Sequence, residues 1–170
     1  MPAATHAALG AFTVAVGTDE VTVPYRIYNP EPERSAEDAL SPDQQAILAC
    51  LYTRHHDGRV RERRLKEVVT SDADWVVPYV VCLIGEYVVE IAADIHEALS
   101  HLDTGDHRRD TYKRFVQANP AFIDLVEARA MSYWSCYHRA RFPRRAASPN
   151  RDDYPGLAAV RVLRSLGDAE

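Results

Sequence analysis

The chain has 170 residues, of which 46% are hydrophobic and 26% are charged, and its formal net charge is −5. This length suits one domain of roughly 100–200 residues, and the composition excludes a disordered, collagen-like or linker-dominated chain. The negative charge argues against a general attraction of the whole chain to nucleic acid or to an anionic membrane.

The N-terminal region predicts a β-hairpin that follows a short tail. Residues 1–10 are small and weakly patterned, and we expect them to form a flexible tail. Residues 12–28 contain two alternating apolar runs on either side of a turn signal at 17–20, which is typical of a hairpin. Pro24 has no amide proton, so we expect the second strand to lie at a sheet edge. A hairpin is marginally stable alone and must pack on the rest of the protein.

The middle of the chain predicts helices with recognisable start signals. Ser41 followed by Pro42 is a capping residue with proline at the first helical position, whereas residues 29–40 before them have the composition of an acidic loop. A basic helix is expected over residues 59–69. The longest periodic pattern, over residues 75–102, predicts one long helix whose first part is buried.

One part of that pattern has a second interpretation, because the valine-rich residues 76–84 could also form a buried strand. We favour a helix, since the helical periodicity continues for several turns beyond them. Further helices are expected over residues 107–117 and 121–141, and a short C-terminal helix over residues 157–166.

These elements predict a mainly α fold. We expect one globular domain over residues 11–170, built as a compact, bundle-like arrangement of about five helices, chiefly within residues 42–141, with the N-terminal hairpin packed on it.

Charge is unevenly distributed along the sequence. Residues 73–106 (the acidic segment) contain seven acidic and no basic residues, and residues 107–151 (the basic segment) contain ten basic and three acidic residues. The two segments could pair with each other inside the fold, or they could face a charged partner. Composition alone leaves both interpretations open.

The three cysteines are few, odd in number and widely spaced, so they predict neither a disulfide framework nor a zinc site. We expect Cys50 and Cys82 to be small buried apolar residues, and the same for Cys136, although its neighbours His138 and Arg139 would suit a reactive thiol. The N-terminal residues lack the basic start and apolar run of a signal peptide, which favours a cytoplasmic location.

No motif typical of catalysis occurs, so an enzyme is the less favoured interpretation and no cofactor or metal is expected. The leading hypothesis is a non-enzymatic domain that binds a macromolecule, either a protein partner or a second copy in a homodimer, with no role at a membrane. The aromatic content of nine Tyr and two Trp is typical of interfaces. The edge strand offers a second route by β-pairing.

The first alternative is association with nucleic acid through the arginine-rich segment 138–151. Its basic residues lie beside aromatic residues that could stack on bases. The arginines that would contact phosphate are Arg139, Arg141, Arg144 and Arg145.

The second alternative is a small-ligand or metal site, with an unknown reaction if the protein is an enzyme. Glu86 and Glu90 lie in the mainly buried helix and are the best candidates for perturbed ionisation, unless they pair with Arg54 or with the basic helix. His55 and His56 follow Arg54 and complete this group of binding candidates.

Overall fold

The structure is a computed structural model that describes residues 10–103, 105–143 and 154–168. It is mainly helical with a two-stranded antiparallel hairpin, as the sequence predicts. The strands are β1 (Ala11–Val16) and β2 (Asp19–Pro24). The described residues form more helices than the five or so expected, namely α1 (Arg34–Asp38), α2 (Pro42–Tyr52), α3 (Gly58–Val68), α4 (Val77–Ile84), α5 (Val89–Ser100), α6 (His107–Ala118), α7 (Pro120–Tyr133) and α8 (Pro155–Asp168).

The hairpin is shorter than the range 12–28 expected from the sequence. Its loop contains two residues, of which Gly17 has φ +60°, the left-handed conformation that such tight loops require. Pairing ends where Pro24 faces Ala11. The chain then leaves the hairpin, and Ile27 forms a parallel bridge with His55 instead. The tail expected over residues 1–10 lies, apart from residue 10, outside the described residues.

The helix starts follow the sequence signals. Ser41 caps α2 in a capping box with Gln44, and Pro42 occupies the first turn. The acidic loop expected before it contains the short helix α1. Asp57 caps α3 by accepting a hydrogen bond from the amide of Arg59 at 2.8 Å.

The single long helix expected over residues 75–102 is wrong. A 3₁₀ turn (Asp74–Val76) leads into α4, and residues 85–88 separate α4 from α5. The residues 76–84 are helical rather than a strand, as we favoured. The physical reason for the break is visible at Glu86, which is buried among arginines instead of continuing a helix.

The C-terminal helices also differ in extent from the sequence pattern. The expected helix over residues 121–141 consists of α7 followed by a π-helical turn (Trp134–His138). Helix α8 extends further at both ends than the range 157–166. No helix of the described residues is long and apolar enough to cross a membrane.

Helix α4 lies at the centre of the core. All of its residues are buried, and it contacts α5, α6, α7, α8 and β2. Helix α8 packs against α5, α6 and α7. This arrangement explains why the start of the predicted long helix is apolar on every side.

The hairpin contributes the buried Val14, Val16 and Val23 to the core, and one aromatic pair and one amide join it further to the helices. The rings of Phe12 and Phe122 stack with their centroids 4.9 Å apart. Asn119, between α6 and α7, accepts a hydrogen bond from the Ala15 amide at 2.8 Å and donates to the Ala15 carbonyl at 2.9 Å. It also donates to the Phe115 carbonyl at 2.9 Å. The side-chain amide of Asn119 therefore bonds the free edge of β1 at Ala15 in the way that the backbone of a neighbouring strand would.

We expect Asn119→Ala to lower the free energy of unfolding by about 2 kcal/mol, because the variant leaves the part-buried amide and carbonyl of Ala15 without their side-chain partner. Urea denaturation measures the change. Gln117→Ala is the control, since that exposed side chain makes one hydrogen bond, to Gly167 at 3.0 Å, and its loss should cost less than about 1 kcal/mol. Equal costs for the two variants would contradict this role of Asn119.

Candidate functional site

The side chain of Glu86 is buried at the break between α4 and α5 and faces three arginines. Arg26 donates from both terminal nitrogens, at 3.0 Å to Oε1 and 2.5 Å to Oε2. Arg54 Nη2 donates to Oε1 at 3.0 Å, and Arg61 Nη2 lies 4.0 Å from Oε2. One carboxylate therefore lies at the centre of three guanidinium groups, which we call the arginine cluster (Arg26, Arg54 and Arg61).

Three different segments bring these arginines together. Arg26 directly follows the hairpin. Arg54 follows α2, and its guanidinium donates back to the carbonyls of Pro24 at 3.2 Å and Tyr25 at 2.8 Å. The backbone of Arg54 adds a hydrogen bond from the Ile27 amide at 2.9 Å. The chain after β2 is thus bound to the chain after α2 by both side-chain and backbone contacts.

Arg61 belongs to α3 and holds the connection between α2 and α3. Its Nη1 donates to the carbonyls of His55 at 2.8 Å and His56 at 2.9 Å. Its guanidinium also lies 5.6 Å from the centre of the Tyr87 ring, within cation–π range.

The arginine cluster carries more positive charge than the protein neutralises. Arg54 and Arg61 are both 0% exposed, yet Arg54 Nη1 and Arg61 Nε and Nη2 make no hydrogen bond to the described part of the chain. With Glu86 ionised, the group has a formal charge of +2 from three arginines and one carboxylate. Backbone carbonyls and Glu86 satisfy the other donors of Arg54 and Arg61, but a buried surplus of positive charge is costly and would be offset by a bound anion.

The pKa values of Glu86, Arg61 and Arg26 shift in the directions that burial and the charges of the cluster produce. Burial alone would raise the pKa of Glu86, but the Arg26 hydrogen bond and the charges of Arg54, Arg26 and Arg61 outweigh it and lower that pKa below its ordinary value. Burial, followed by repulsion from Arg26, lowers the pKa of Arg61. The pKa of Arg26 is raised: burial opposes the rise, but its hydrogen bond to Glu86 prevails.

Tyrosines and a fourth arginine surround the more accessible side of the cluster, where the side chain of Arg26 is 17% exposed. Arg129 donates a hydrogen bond to the Tyr25 hydroxyl and lies over the Tyr25 ring at 4.7 Å. Burial, with contributions from Glu86 and Tyr25, raises the pKa of Tyr133, while Arg129 and Arg26 act in the opposite direction.

The binding candidates named from the sequence fall into separate places. Arg54 and Glu86 are in direct contact, and His55 and His56 contribute carbonyls to Arg61. Glu90 does not join them, because it is exposed in the first turn of α5. Whether any of them binds a ligand stays a prediction.

The two histidine rings lie in an aromatic stack rather than against Glu86. His55 is buried and its ring centroid lies 4.2 Å from that of His56. His56 stacks on the exposed Tyr28 at 5.2 Å, and His55 stacks on Tyr52 at 5.9 Å. His55 Nδ1 accepts a hydrogen bond from the Asp57 amide at 3.1 Å. Through these contacts both histidines stabilise the connection between α2 and α3.

The arginines of the nucleic-acid alternative are partly engaged with the protein. Arg139 lies 5.7 Å from the Trp134 ring centre and Arg141 lies 5.2 Å from that of Phe142. Both side chains are exposed. Arg144 and Arg145, like the rest of 144–151, lie outside the described residues.

Within the described residues, two members of the acidic segment form ion pairs with the N-terminal part of the chain. Glu86 pairs with the arginine cluster, and Asp94 lies 3.8 Å from Lys66 of α3. A third, Asp106, pairs with its near neighbour Arg108 of the basic segment at 2.8 Å. Whether the two segments pair extensively or face a partner stays open, because residues 144–151 of the basic segment lie outside the described part of the chain.

The cysteines and metal-binding side chains show no further site. Cys50 and Cys82 are buried, and burial raises the pKa of both thiols, that of Cys50 to about 12. Cys136 is exposed, which corrects the expectation that all three are buried. In the part of the chain that the structure describes, no group of three or more His, Cys, Asp and Glu side chains could hold a metal ion.

Glu86 pairs with Arg54 and, through Arg61, with the basic helix, which are the two pairings that the sequence offered for it. The sequence singled out neither Arg61 itself nor Arg26 and the tyrosines around the cluster. One signal existed for Arg61, because it shares the helical spacing of Leu65 and Val68, and a charged residue on an apolar helix face is a candidate for buried pairing. Arg26 gave no such signal, since it lies on the polar face of an alternating run.

Comparison with known proteins adds no assignment: no family model matches this chain, and neither a curated protein nor a solved structure matches it.

We expect Glu86→Gln to lower the free energy of unfolding by about 3–5 kcal/mol, because it leaves two fully buried arginines without a counter-charge. Chemical denaturation at pH 7 measures this loss. Glu90→Gln is a matched control, since the same change at an exposed helix start should cost about 0.3–1 kcal/mol.

The difference between the wild type and Glu86→Gln should depend on pH. A lowered pKa in the folded state means that the ionised carboxylate stabilises the fold fully above its ordinary pKa of 4.5 and loses this effect as pH falls through the lower, folded-state value. The difference in the free energy of unfolding between the wild type and Glu86→Gln should therefore become smaller as the pH falls. A gap that is absent at pH 7, or that widens in acid, would contradict the assignment.

Proposed function

We propose that the protein binds a small oxyanion, a phosphate or carboxylate group of a ligand, at the arginine cluster. The observation that carries this proposal is the surplus of buried guanidinium donors around one carboxylate. Arginine suits this role because its planar fork matches the oxygens of phosphate and carboxylate groups and remains charged when buried.

A third buried arginine, outside the cluster, provides a contrast. Arg64 contacts three carboxylates, those of Glu31, Glu37 and Glu67. A cavity of about 460 Å³ lies beside it, but these carboxylates already occupy the donors of Arg64. The cluster around Glu86 has the opposite balance of charges, with three arginines around one carboxylate, which favours it as the anion site over the cavity beside Arg64.

Of the residues at the site, Arg26 and Tyr87 reach the protein surface. Arg26 is partly accessible, and Tyr87, which covers Arg61, has 49% of its surface exposed. A rotation of the Tyr87 side chain would bring Arg61 within reach of an incoming anion. Arg129 and the tyrosine hydroxyls at the same side add donors for its remaining oxygens.

We expect inorganic phosphate or acetate, or both, to raise the melting temperature above that in chloride at equal ionic strength. Binding to the folded state stabilises it by about 2.7 kcal/mol at a ligand concentration of 100 Kd. Arg26→Gln should weaken the affinity measured by calorimetry about tenfold or more, because it removes a charged donor while Arg54 and Arg61 still neutralise Glu86.

Arg164→Gln is the control for this experiment. It makes the same change in net charge at an arginine that pairs with Asp124 and Glu127 on α7. Equal losses of affinity in both variants would show a general charge effect and overturn the proposal. So would the lack of any response to both anions in the wild type.

A second candidate is the interaction domain that the sequence favours, and its support is the outer face of α2. Ile47 is 48% exposed and Leu51, one turn later, is 36% exposed. Apolar side chains at this spacing could be covered by a second copy in a homodimer. A cytoplasmic location and the nucleic-acid alternative likewise stay predictions.

Native mass spectrometry tests this second candidate. We expect a dimer that Ile47→Gln combined with Leu51→Gln converts to a monomer. A control double variant at exposed polar positions of α2, Asp43→Ser with Gln45→Ser, should leave the dimer intact. A monomeric wild type at micromolar concentration would argue against self-association.

A further inference from the structure

Three tyrosines form an exposed aromatic surface beside the arginine cluster, which we call the tyrosine surface (Tyr87, Tyr133 and Tyr137). The ring centroids of Tyr87 and Tyr133 are 6.2 Å apart, and those of Tyr133 and Tyr137 are 6.1 Å apart. Tyr87 is 49% exposed and Tyr137 is 71% exposed, so large parts of these rings face solvent. Tyrosines grouped in this way offer apolar area with little conformational entropy to lose on binding.

The protein holds this surface in a fixed position relative to the cluster. Tyr87 directly follows Glu86, and its carbonyl oxygen lies 2.9 Å from His138 Nε2 in the π-helical turn. That turn also carries Tyr137, and Tyr133 immediately precedes it. The loop with Glu86 and the end of α7 are thereby joined, and π-helical turns are frequent at functional sites.

The tyrosine surface meets the cluster at Tyr87. The Arg61 guanidinium lies 5.6 Å from the centre of the Tyr87 ring. Burial, with contributions from Glu86 and Tyr25, raises the pKa of Tyr133, while Arg129 and Arg26 oppose that rise. A ligand whose anionic group reaches Arg26 or Arg61 would therefore place its neighbouring atoms over these rings.

We propose that the anion bound at the arginine cluster carries a planar ring that packs on the tyrosine surface. This inference rests on the proposed function and specifies its ligand as a ring-bearing oxyanion, which is the chemistry shared by a nucleoside monophosphate and an aromatic carboxylic acid. Ring–ring packing at 4.5–7 Å stabilises such a complex beyond the charge contacts.

Two pairs of probes separate the contribution of the ring from that of the anion. Adenosine monophosphate is compared with ribose 5-phosphate, and benzoate is compared with acetate. Calorimetry with the full chain should show that at least one ring-bearing probe binds about tenfold more tightly than its ringless counterpart. A preference in the first pair identifies a nucleotide-like ligand, and a preference in the second identifies an aromatic acid.

Tyr137→Leu tests whether the tyrosine surface causes the preference, because Tyr137 is 71% exposed and, unlike Tyr87, does not cover Arg61. The variant keeps apolar bulk but removes the ring, so it should reduce the affinity of the preferred ring-bearing probe to that of its ringless counterpart. The affinity of the ringless probe should stay unchanged, which a merely structural effect on the cluster would not allow. Tyr28→Leu is the control, because Tyr28 is 72% exposed and stacks on His56 rather than on a ring of the tyrosine surface.

The outcomes distinguish this inference from the proposed function. Equal affinities within both pairs, or equal losses in the two leucine variants, would overturn the ring site while leaving the anion site standing. The absence of binding by ribose 5-phosphate and acetate, as well as by their ring-bearing counterparts, would overturn both.

Discussion

The buried carboxylate of Glu86 is the constraint on which the N-terminal half of the structure depends. Arg26, Arg54 and Arg61 come from three segments, and without this carboxylate their like charges would repel one another in a medium of low dielectric constant. The same arginines also bond backbone carbonyls, so the ion pairs and the local backbone arrangement stabilise each other. Hydrogen bonds of this kind are stronger when they form a connected network.

The position of Glu86 also explains the break in the helical pattern. A continuous helix from α4 to α5 would satisfy more backbone hydrogen bonds, but the chain interrupts it at residues 85–88. The charge-assisted bonds of Glu86 offset part of that loss, because each of them is worth about 1.5–3 kcal/mol. The interruption also exposes Tyr87 next to the cluster, so one local change of backbone direction supplies both the buried carboxylate and an exposed ring.

The elements that could be predicted from the sequence are those with local causes. Alternation predicts the hairpin, the Ser41–Pro42 start predicts α2, and apolar residues on all sides predict the central position of α4. The break at Glu86 has a tertiary cause, since arginines far away in sequence stabilise it, and periodicity carries no information about them. Arg54 and Glu86 were recognisable as candidates in the sequence. Arg26 and the tyrosines were not, because only the tertiary fold brings them next to Glu86.

A crystal structure of the protein grown or soaked in selenate tests directly whether the arginine cluster binds an oxyanion, because anomalous scattering locates the anion without ambiguity. We expect a selenium peak beside the arginine cluster, with oxygens within hydrogen-bond distance of Arg61 Nη2 or Arg54 Nη1. These two nitrogens make no hydrogen bond to the described part of the chain. Selenate bound elsewhere, with ordered water on those nitrogens and none of the anion at the cluster, would contradict it.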